Sequence, residues 1–288
     1  MTPLFSINLA GVWNQARQLK LDDEDFPEAP ALWRRGDARY LLCSPSAVDA
    51  DGTSLRWRDA DGPYDANTCW LLDAQRAWFA RPADDDEALV PLRSIWPLLD
   101  DASAQAAVTA SALNAWHGEY RFCGFCGQVT VIEDGGWVRH CDGCGRQHFP
   151  RIDPAIIVAL VDYADRLLLG SQSTWGKRAS VFAGFVSAGE SLEQAVHREV
   201  SEETGLDVSH VSYFGSQPWP FPRSLMVAFT AHADNPDALH IDHREITSAN
   251  WFTRDQIRAA WASGAVELPP SVSIAHRLIM SWLDGQPS

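Results

Sequence analysis

Four of the six cysteines stand in two C-x-x-C pairs, and this pattern constrains the fold more than any other feature. The first pair is Cys123 and Cys126, the second is Cys141 and Cys144, and fourteen residues separate the pairs. Four thiolates on two tight turns make a closed tetrahedral shell, the arrangement that zinc adopts in structural sites. Because a closed shell leaves no position for a substrate, we expect one zinc ion per chain that stabilises the fold without taking part in catalysis.

The residues between and beside the cysteines are typical of a zinc ribbon. Gly127 and Gly145 each follow the second cysteine of a pair, where the backbone must turn tightly. The intervening residues 129–140 read as a hairpin that turns at Asp134-Gly135-Gly136. The sequence therefore predicts a ribbon over residues 118–150.

The alternative for these cysteines is four free thiols, or two disulfides in an exported protein. Residues 1–5 show no basic region followed by a sustained apolar run, so we predict no signal peptide and a reducing cytoplasm. No stretch of about 18 uninterrupted apolar residues occurs, so we predict no membrane span. Cys43 and Cys69 lie in apolar surroundings and are expected to be buried thiols. His140 and His148 flank the ribbon, but four cysteines already fill a zinc shell.

The chain is acidic, with 23 Lys and Arg against 38 Asp and Glu and a net charge of −15. Such a chain is poorly suited to gripping a nucleic-acid backbone. Between residues 119 and 151, four arginines balance four carboxylates, so the ribbon carries no basic stripe. We expect no duplex nucleic-acid binding, and we interpret the ribbon as a structural spacer or a dimerisation element.

Three segments of the chain differ in pattern. Residues 1–117 contain short β-like runs separated by Asp-Gly turns and end in an alanine-rich helix predicted over 102–117. The ribbon follows at 118–150. Residues 151–288 begin with a buried strand at 155–161 and continue with further strands and helices, which indicates a sheet covered by helices. The sequence thus predicts an α+β protein with three domains, of which the first carries no motif that indicates a chemistry.

Residues 184–206 place a cluster of carboxylates on one predicted helix. Ser191 and Gln194 form a capping box that begins the helix, and Gly205 is a residue that commonly ends one. Three glutamates lie three and four residues apart and share a face: Glu199, Glu202 and Glu203. A solvated glutamate-rich face is the usual alternative, but clustered carboxylates repel unless a cation neutralises them. Oxygen ligands of this kind select Mg²⁺ or Mn²⁺.

The same segment matches G-x5-E-x7-R-E-U-x-E-E-x-G-U, where U is aliphatic, at every defined position. It resembles the Nudix box, a 23-residue signature far more specific than a short glycine motif. The resemblance implies an α/β/α sandwich that cleaves a nucleoside diphosphate linked to another moiety. Within the box, Glu190 and Arg198 would brace the loop and the helix.

The resemblance also implies roles for the other residues of the box. Glu199 and Glu203 would coordinate the metals, and Glu202 would coordinate a metal or orient the attacking water. Ala183, just before the box, would offer its backbone carbonyl as a ligand. Metals at such a site bridge pyrophosphate oxygens, stabilise the developing charge and lower the pKa of a bound water.

A stiff aromatic loop follows ten residues after the box: Ser216-Gln217-Pro218-Trp219-Pro220-Phe221-Pro222-Arg223-Ser224. Three alternating prolines restrict the backbone, and the rings of Trp219 and Phe221 suit a flat base at a small cost in side-chain entropy. Gln217, Arg223 and Ser224 supply polar contacts, and the guanidinium suits a phosphate. The alternative is a stiff connection that only packs.

Together with the ribbon, the loop SQPWPFPxS is similar to the NADH pyrophosphatase subfamily of Nudix hydrolases. The likeness covers residues 91–285 well and the first 90 loosely. It implies hydrolysis of NADH or NAD⁺ to nicotinamide mononucleotide and AMP, removal of NAD caps from RNA 5′ ends, and a homodimer. Residues 217–224 would line the dinucleotide site, Phe149 would stack on a substrate ring, and Glu245 would bind metal. Ala275 would make a backbone contact to the substrate.

Two other functions stay open. A Nudix hydrolase that prefers ADP-ribose or another dinucleotide would carry the same box. The alternative from a different class is a non-catalytic module, either a ligand sensor with the Nudix fold or a zinc ribbon that binds nucleic acid. A sensor would be expected to have lost box glutamates, which are all present, and a binder would need a basic ribbon, which this one is not.

Overall fold

The computed structural model describes residues 29–85, 87–241, 243 and 246–285. These residues fall into two compact units. The first extends to Arg151 and includes Pro220–Arg223, and the second consists of Ile152–Trp219 and the residues from Ser224 onward. The ribbon lies in the first unit with the N-terminal segment, and the division into domains 1–117, 118–150 and 151–288 stays a prediction.

The N-terminal part of the first unit is a mixed sheet with helices. Its helices are α1 (Ala29–Trp33), α2 (Leu92–Ile95) and α3 (Asp101–Glu119), with a 3₁₀ turn at Trp96–Leu98. Its strands are β1 (Arg39–Cys43), β2 (Ala47–Val48), β3 (Ala50–Asp51), β4 (Ser54–Leu55), β5 (Trp57–Asp59), β6 (Trp70–Asp73), β7 (Trp78–Pro82) and β8 (Val90–Pro91). The order is β6-β7-β1-β2-β8, β5 also pairs with β1, and β3 pairs with β4.

Burial in this sheet agrees with the sequence pattern. Cys43 and Cys69 are 0% and 2% exposed, as predicted for buried thiols, and burial raises the pKa of the Cys43 thiol to about 12. The predicted helix over 102–117 is confirmed as α3. It begins where the Asp100 carboxylate accepts a hydrogen bond from the Ser103 N–H, a standard N-cap. Alanines on α3 allow it to pack closely against β1, β6 and β7.

The ribbon consists of β9 (Val131–Glu133), β10 (Val138–His140) and β11 (Gln147–His148), in the order β11-β10-β9. The predicted turn between β9 and β10 is confirmed at Asp134–Gly136. This tip contacts β6: the Trp137 indole N–H donates to the Leu71 carbonyl at 2.8 Å. Gly136 has φ +98°, and a Cβ there would lie 2.6 Å from Trp70 Cβ, so only glycine fits.

The second unit is built on a six-stranded sheet. Its strands are β12 (Asp153–Val161), β13 (Leu167–Ser171), β14 (Phe182–Phe185), β15 (Val208–Trp219), β16 (Ser224–Ala233) and β17 (Ser248–Phe252). Its helices are α4 (Leu192–Thr204), α5 (Arg254–Ala262) and α6 (Ile274–Leu283), with 3₁₀ turns at Ser173–Trp175 and Pro236–Ala238. The order is β15-β16-β12-β13-β17, with β14 also beside β12. Among these strands, β12 and β16 pair in parallel and the other neighbours pair antiparallel.

Helices cover both faces of this sheet. Successive side chains on a strand point to opposite faces, so Ile156 and Val158 of β12 pack on the side of α4. Ile157 and Ala159 pack on the side of α5 and α6. Both faces are apolar, which explains the uninterrupted hydrophobic run, and burying one isoleucine side chain contributes about 1.5–3 kcal/mol. The predicted α/β/α sandwich is confirmed.

In the ranges that the structure describes, none of the helices has the length and hydropathy needed to cross a bilayer.

Candidate active site

Helix α4 begins and ends where the sequence predicts. The Ser191 side chain accepts from the Gln194 N–H, and the Gln194 side chain accepts from the Ser191 N–H, which completes the capping box. Gly205 ends the helix in the left-handed conformation at φ +67°. Val196 and Val200 are fully buried against the sheet, so the opposite side of α4 is left for the glutamates.

Arg198 organises the carboxylates at this helix. Its Nε and Nη2 donate to the two oxygens of Glu190 at 2.8 Å each, and Nη2 also donates to the Phe185 carbonyl at 2.9 Å. Its Nη1 donates to Glu199 at 2.8 Å and to Glu202 at 3.0 Å. All five N–H donors of the guanidinium are therefore used. Arg198 thus bonds to Glu202 one turn later on the same helix.

The pKa values of this network shift as its hydrogen bonds require. The Arg198 guanidinium, followed by the Ser187 backbone N–H, lowers the pKa of Glu190 to about 2 from an ordinary value of 4.5. Hydrogen bonds to Glu190 and then Glu199 raise the pKa of Arg198 above its ordinary range. Glu190 is thus ionised at neutral pH and ties the loop that precedes α4 to the helix.

Gly184, the first residue of the box, makes room for the Glu199 carboxylate. A Cβ at position 184 would lie 1.9 Å from Glu199 Cδ and 2.1 and 2.3 Å from its two oxygens. Contacts this short do not occur, so any side chain here would displace the carboxylate. The first position of the box is glycine for a steric reason, and Glu199 sits against the β14 backbone.

The three helix glutamates differ in exposure. Glu203 is 8% exposed, the Glu199 side chain 14% and the Glu202 side chain 61%. Among the residues that the structure describes, these oxygens do not form a converging group of three metal ligands. Ala183, the neighbour of Gly184 on β14, is exposed. Glu245 lies outside the described residues.

The cysteine cluster, by contrast, is converged. Its four members have all Sγ atoms within 4.8 Å of one another: Cys123, Cys126, Cys141 and Cys144. The Cys123–Cys144 and Cys126–Cys141 Sγ separations are 3.7 and 3.4 Å. A tetrahedral zinc with bonds of ~2.3 Å requires sulfur separations of ~3.8 Å, so the cluster fits zinc.

The backbone around the cysteines supports this site. Gly127 and Gly145 have φ of +74° and +71°, and their N–H groups donate to the Cys123 and Cys141 carbonyls at 2.9 and 2.7 Å. The predicted requirement for glycine at both turns is confirmed. His140 is not a member of the cluster, and its ring faces Glu133 and Asp142.

The proline-aromatic loop lies at the end of the β15–β16 ladder, where Trp219 pairs with Ser224. Gln217, Pro218, Trp219 and Ser224 belong to the second unit, with the box helix. The Gln217 amide bonds to the backbone of Val272 and Ile274, at 2.7 and 2.8 Å.

The tip of the loop belongs to the first unit and has partners there. Pro220 is buried and Pro222 exposed. The Arg93 guanidinium lies 4.3 Å from the Phe221 ring centre, a cation–π contact. Arg223 Nη1 donates to the Glu119 carboxylate at 2.6 Å. The guanidinium that the sequence predicts to contact a phosphate is therefore bonded to a carboxylate in this structure. Phe149, in the same unit, is 54% exposed.

Ala275 is the second residue of α6 and is 7% exposed. The N–H groups before and after it have side-chain acceptors: Ile274 donates to Gln217, and His276 donates to the Ser273 hydroxyl at 3.3 Å. The described residues provide no acceptor for the Ala275 N–H. This geometry favours the predicted backbone contact at Ala275, which stays a prediction.

Phe185 is a candidate that the sequence argument missed. It occupies a variable position of the box, where an aromatic residue is equally typical of a core strand. In the structure Phe185 is 60% exposed, while its backbone carbonyl accepts from Arg198. An exposed aromatic ring on the strand that carries Gly184 is a surface on which a base or a nicotinamide can stack.

Sequence comparisons agree with this geometry. Residues 151–271 match the NUDIX domain, and residues 119–149 match the NADH pyrophosphatase zinc ribbon domain. The chain is 46% identical over 222 residues to a NAD-capped RNA hydrolase NudC of Mycobacterium bovis, covering 74% of this chain and 71% of the relative. It is 38% identical over 203 residues to the human NAD-capped RNA hydrolase NUDT12, covering 66% of this chain and 44% of that relative.

A crystal structure of a NUDIX hydrolase from Nitrosomonas europaea is similar with a TM-score of 0.47 and 18% identity, over 58% of this chain and 92% of that one. The box helix on an α/β/α sandwich and the four-cysteine ribbon define a Nudix domain protein with a zinc ribbon. By its sequence relatives, the chain belongs to the Nudix family, in the NudC-like subfamily.

Proposed function

We propose that the protein hydrolyses the pyrophosphate bond of NADH or NAD⁺ to nicotinamide mononucleotide and AMP, and that it removes NAD caps from RNA 5′ ends. The observation that carries this proposal is the carboxylate array around Arg198, with Glu199 seated against Gly184. Relatives that share the subfamily are named NAD-capped RNA hydrolases. An array of this kind suits cleavage of a phosphoric anhydride rather than passive binding.

The array suits Mg²⁺ or Mn²⁺. Its donors are carboxylate oxygens, which these hard cations prefer, and the space above Gly184 is kept open for a carboxylate. Glu199 and Glu203 would hold the metal, with the Ala183 carbonyl and Glu245 as further ligands. When bound, the metal supplies positive charge to the pyrophosphate oxygens and lowers the pKa of a bound water.

The chain's own residues orient the reactants. Arg198 and Glu190 keep α4 fixed to its preceding loop, so that Glu199 holds its place during turnover. Glu202, the most exposed of the three glutamates, would coordinate a metal or orient the attacking water. Phe185 offers its exposed ring to a planar part of the substrate. By the subfamily resemblance, residues 218–224 and Phe149 would contact the substrate, with the Ala275 N–H as a backbone donor.

A panel of substrates tests this function. NADH, NAD⁺, ADP-ribose and NAD-capped RNA are incubated with the protein and Mg²⁺ or Mn²⁺, and the products are identified by mass spectrometry. We expect nicotinamide mononucleotide and AMP from the dinucleotides, and RNA with a 5′ monophosphate from capped RNA. Faster turnover of ADP-ribose than of NADH would favour the alternative hydrolase, and no turnover of any substrate would favour a sensor or binding module.

Glu199→Gln tests the role of the carboxylate, because the substitution keeps the side-chain shape and removes the charge. We expect turnover to fall at least ~10²-fold, the size of effect that follows loss of one strong electrostatic group. Mn²⁺ binding, measured by electron paramagnetic resonance, should weaken in parallel. Unchanged turnover together with unchanged Mn²⁺ binding would contradict the metal assignment.

Two further properties belong to the same proposal. The subfamily resemblance supports a homodimer, which sedimentation of the purified protein would test. The four ligating thiolates suit a reducing cytoplasm, and a fluorescent fusion would show whether the protein is found there.

A further inference from the structure

Gln217 lies directly before the proline-aromatic loop, and both ends of its amide are bonded within the second unit. Nε2 donates to the Val272 carbonyl at 2.7 Å, and Oε1 accepts from the Ile274 N–H at 2.8 Å. One partner is an acceptor and the other a donor, so only one orientation of the amide fits. Both polar ends of the side chain therefore have partners before any substrate is bound.

The segment that Gln217 holds is the turn into α6. Val272 and Ile274 are 1% and 3% exposed, so water cannot readily replace the amide. Between them, the Ser273 N–H and hydroxyl both donate to the Pro270 carbonyl, at 2.9 and 2.8 Å. The Ile274 N–H belongs to the first turn of a helix, which has no backbone acceptor of its own. Gln217 supplies that acceptor from a strand 57 positions earlier in the chain.

The other side of β15 is held by β16. Gln217 pairs with Met226, and Trp219 pairs with Ser224, at the last positions of the ladder. The end of the hairpin is thus fixed by backbone pairing on one side and by the Gln217 amide on the other. Trp219 lies two residues beyond Gln217 along the chain and forms the closing pair of the ladder with Ser224. The proposed function places both residues in the substrate site.

We propose that Gln217 is a positioning residue that fixes the end of the β15–β16 hairpin to residues 272–274, so that the loop and the Ala275 N–H meet the substrate in one geometry. The sequence alone suggested a direct substrate contact instead. This inference rests on the proposed hydrolysis of NAD(H), because it concerns the same site. Its first consequence, however, is a property of the free protein.

Hydrogen exchange in the substrate-free protein tests that property. Gln217→Ala removes both bonds, and we expect the Ile274 amide to exchange at least tenfold faster than in the wild type. Gln217→Glu keeps the acceptor for Ile274 but loses the donor to Val272 while ionised. Protonation of that carboxyl restores the donor. The exchange ratio of Gln217→Glu to wild type should therefore approach one as the pH falls below the ordinary glutamate pKa of ~4.3.

Kinetics with NADH then separate positioning from a purely structural role. Gln217→Ala should raise KM about tenfold and change kcat by less than threefold. The matched control is Ser212→Ala on the same strand, where Ser212 is exposed. Among the described residues, its hydroxyl bonds to the His210 carbonyl at 3.5 Å. Both KM and the exchange rate at Ile274 should stay at wild-type values in this control.

Two other combinations of KM and exchange rate would contradict the proposed positioning role of Gln217. A raised KM with unchanged exchange at Ile274 would mean that Gln217 contacts the substrate directly, and faster exchange with unchanged KM would mean that the amide is only structural. Both overturn the inference. A wild-type protein that does not hydrolyse NADH would contradict the proposed function, and with it the inference about the substrate site. The exchange data would still show whether Gln217 holds residues 272–274.

Discussion

Replacing Gly184 by alanine is the smallest change that should separate folding from catalysis in this protein. The new Cβ would lie 1.9 Å from Glu199 Cδ, and ordinary contact begins at 3.4 Å, so the carboxylate must move by about 1.5 Å. The Glu199 carboxylate is the end of a flexible side chain, so it can rotate away without moving the β14 backbone. We therefore expect the fold to persist and the carboxylate to be misplaced.

The size of the effect follows from that displacement. A movement of 1.5 Å breaks the 2.8 Å hydrogen bond from Arg198 to Glu199 and moves a proposed metal ligand. A misplacement of ~1 Å in an active site can cost ~10²-fold in rate, so kcat for NADH should fall about 10²-fold. The melting temperature should change by less than about 4 °C, because the cost in stability should stay below ~1 kcal/mol.

The assay is initial-rate hydrolysis of NADH with Mg²⁺ or Mn²⁺, with the melting temperature measured on the same sample. Gly215→Ala on β15 is the matched control, since a Cβ there meets nothing within 4 Å, and we expect nearly wild-type kcat. A Gly184→Ala enzyme that keeps kcat within threefold of wild type would refute the steric argument. An unfolded variant would show that Gly184 is required for the strand itself.

The remaining predictions concern three other parts of the molecule. Phe185→Ala should raise KM for NADH about tenfold, because an aromatic stacking contact contributes ~1–3 kcal/mol. The backbone carbonyl that accepts from Arg198 is retained in this variant. Phe185→Trp should keep KM near the wild-type value, and equal KM for all three proteins would contradict stacking. The Glu190 pKa is lowered to about 2 in the folded state. The Arg198–Glu190 ion pair therefore stabilises the fold fully above pH 4.5, and this stabilisation is lost as the pH falls toward 2. Urea unfolding between pH 5 and 2.5 should therefore show a steeper loss of stability in the wild type than in Glu190→Gln, and parallel curves would argue against the Arg198 pair. Removing zinc with a chelator should lower the melting temperature and release one zinc per chain, measured by atomic absorption. Cys126→Ser should also lower the melting temperature and the zinc content. A zinc-free protein with wild-type stability would contradict the structural role of the ribbon.

Local features were predictable where a short stretch of sequence determines them. The capping box at Ser191, the left-handed Gly205 and the ribbon turn at Asp134–Gly136 are confirmed, because each depends on residues at most four positions apart. The run at 155–161 predicted a buried strand, and β12 extends it by two residues at its start. The α/β/α sandwich followed from the same pattern together with the family resemblance.

Contacts between distant residues could not be predicted in this way. Gln217 meets Ile274 across 57 positions, and Arg223 meets Glu119 across 104, so neither pairing leaves a periodic signal. The requirement for glycine at position 184 also could not be predicted from its sequence neighbours. Its need for open space arises from the Glu199 carboxylate, whose position is set by the helix and not by the neighbours of Gly184 in the sequence.

Phe185 shows the limit of reasoning from composition. A phenylalanine within an apolar strand is more often buried than exposed, and the sequence offers nothing to separate the two cases. Among the strands that the structure describes, β14 pairs with β12 alone, and burial alternates along β14, which leaves Phe185 exposed. The assignments of Phe149, Glu245, Ala275 and the loop residues remain predictions that substitution can test.

The contact between the ribbon tip and β6 has a consequence for synthesis of the protein. Leu71 and Trp70 leave the ribosome early, and the tryptophan that bonds to Leu71 follows 66 positions later. Until the cysteines have been made and have captured zinc, this part of β6 has no cover from the hairpin. Zinc supply during translation should therefore set how long an apolar strand stays open to aggregation, and scarce zinc should lower the yield of the newly made chain before it affects the finished enzyme.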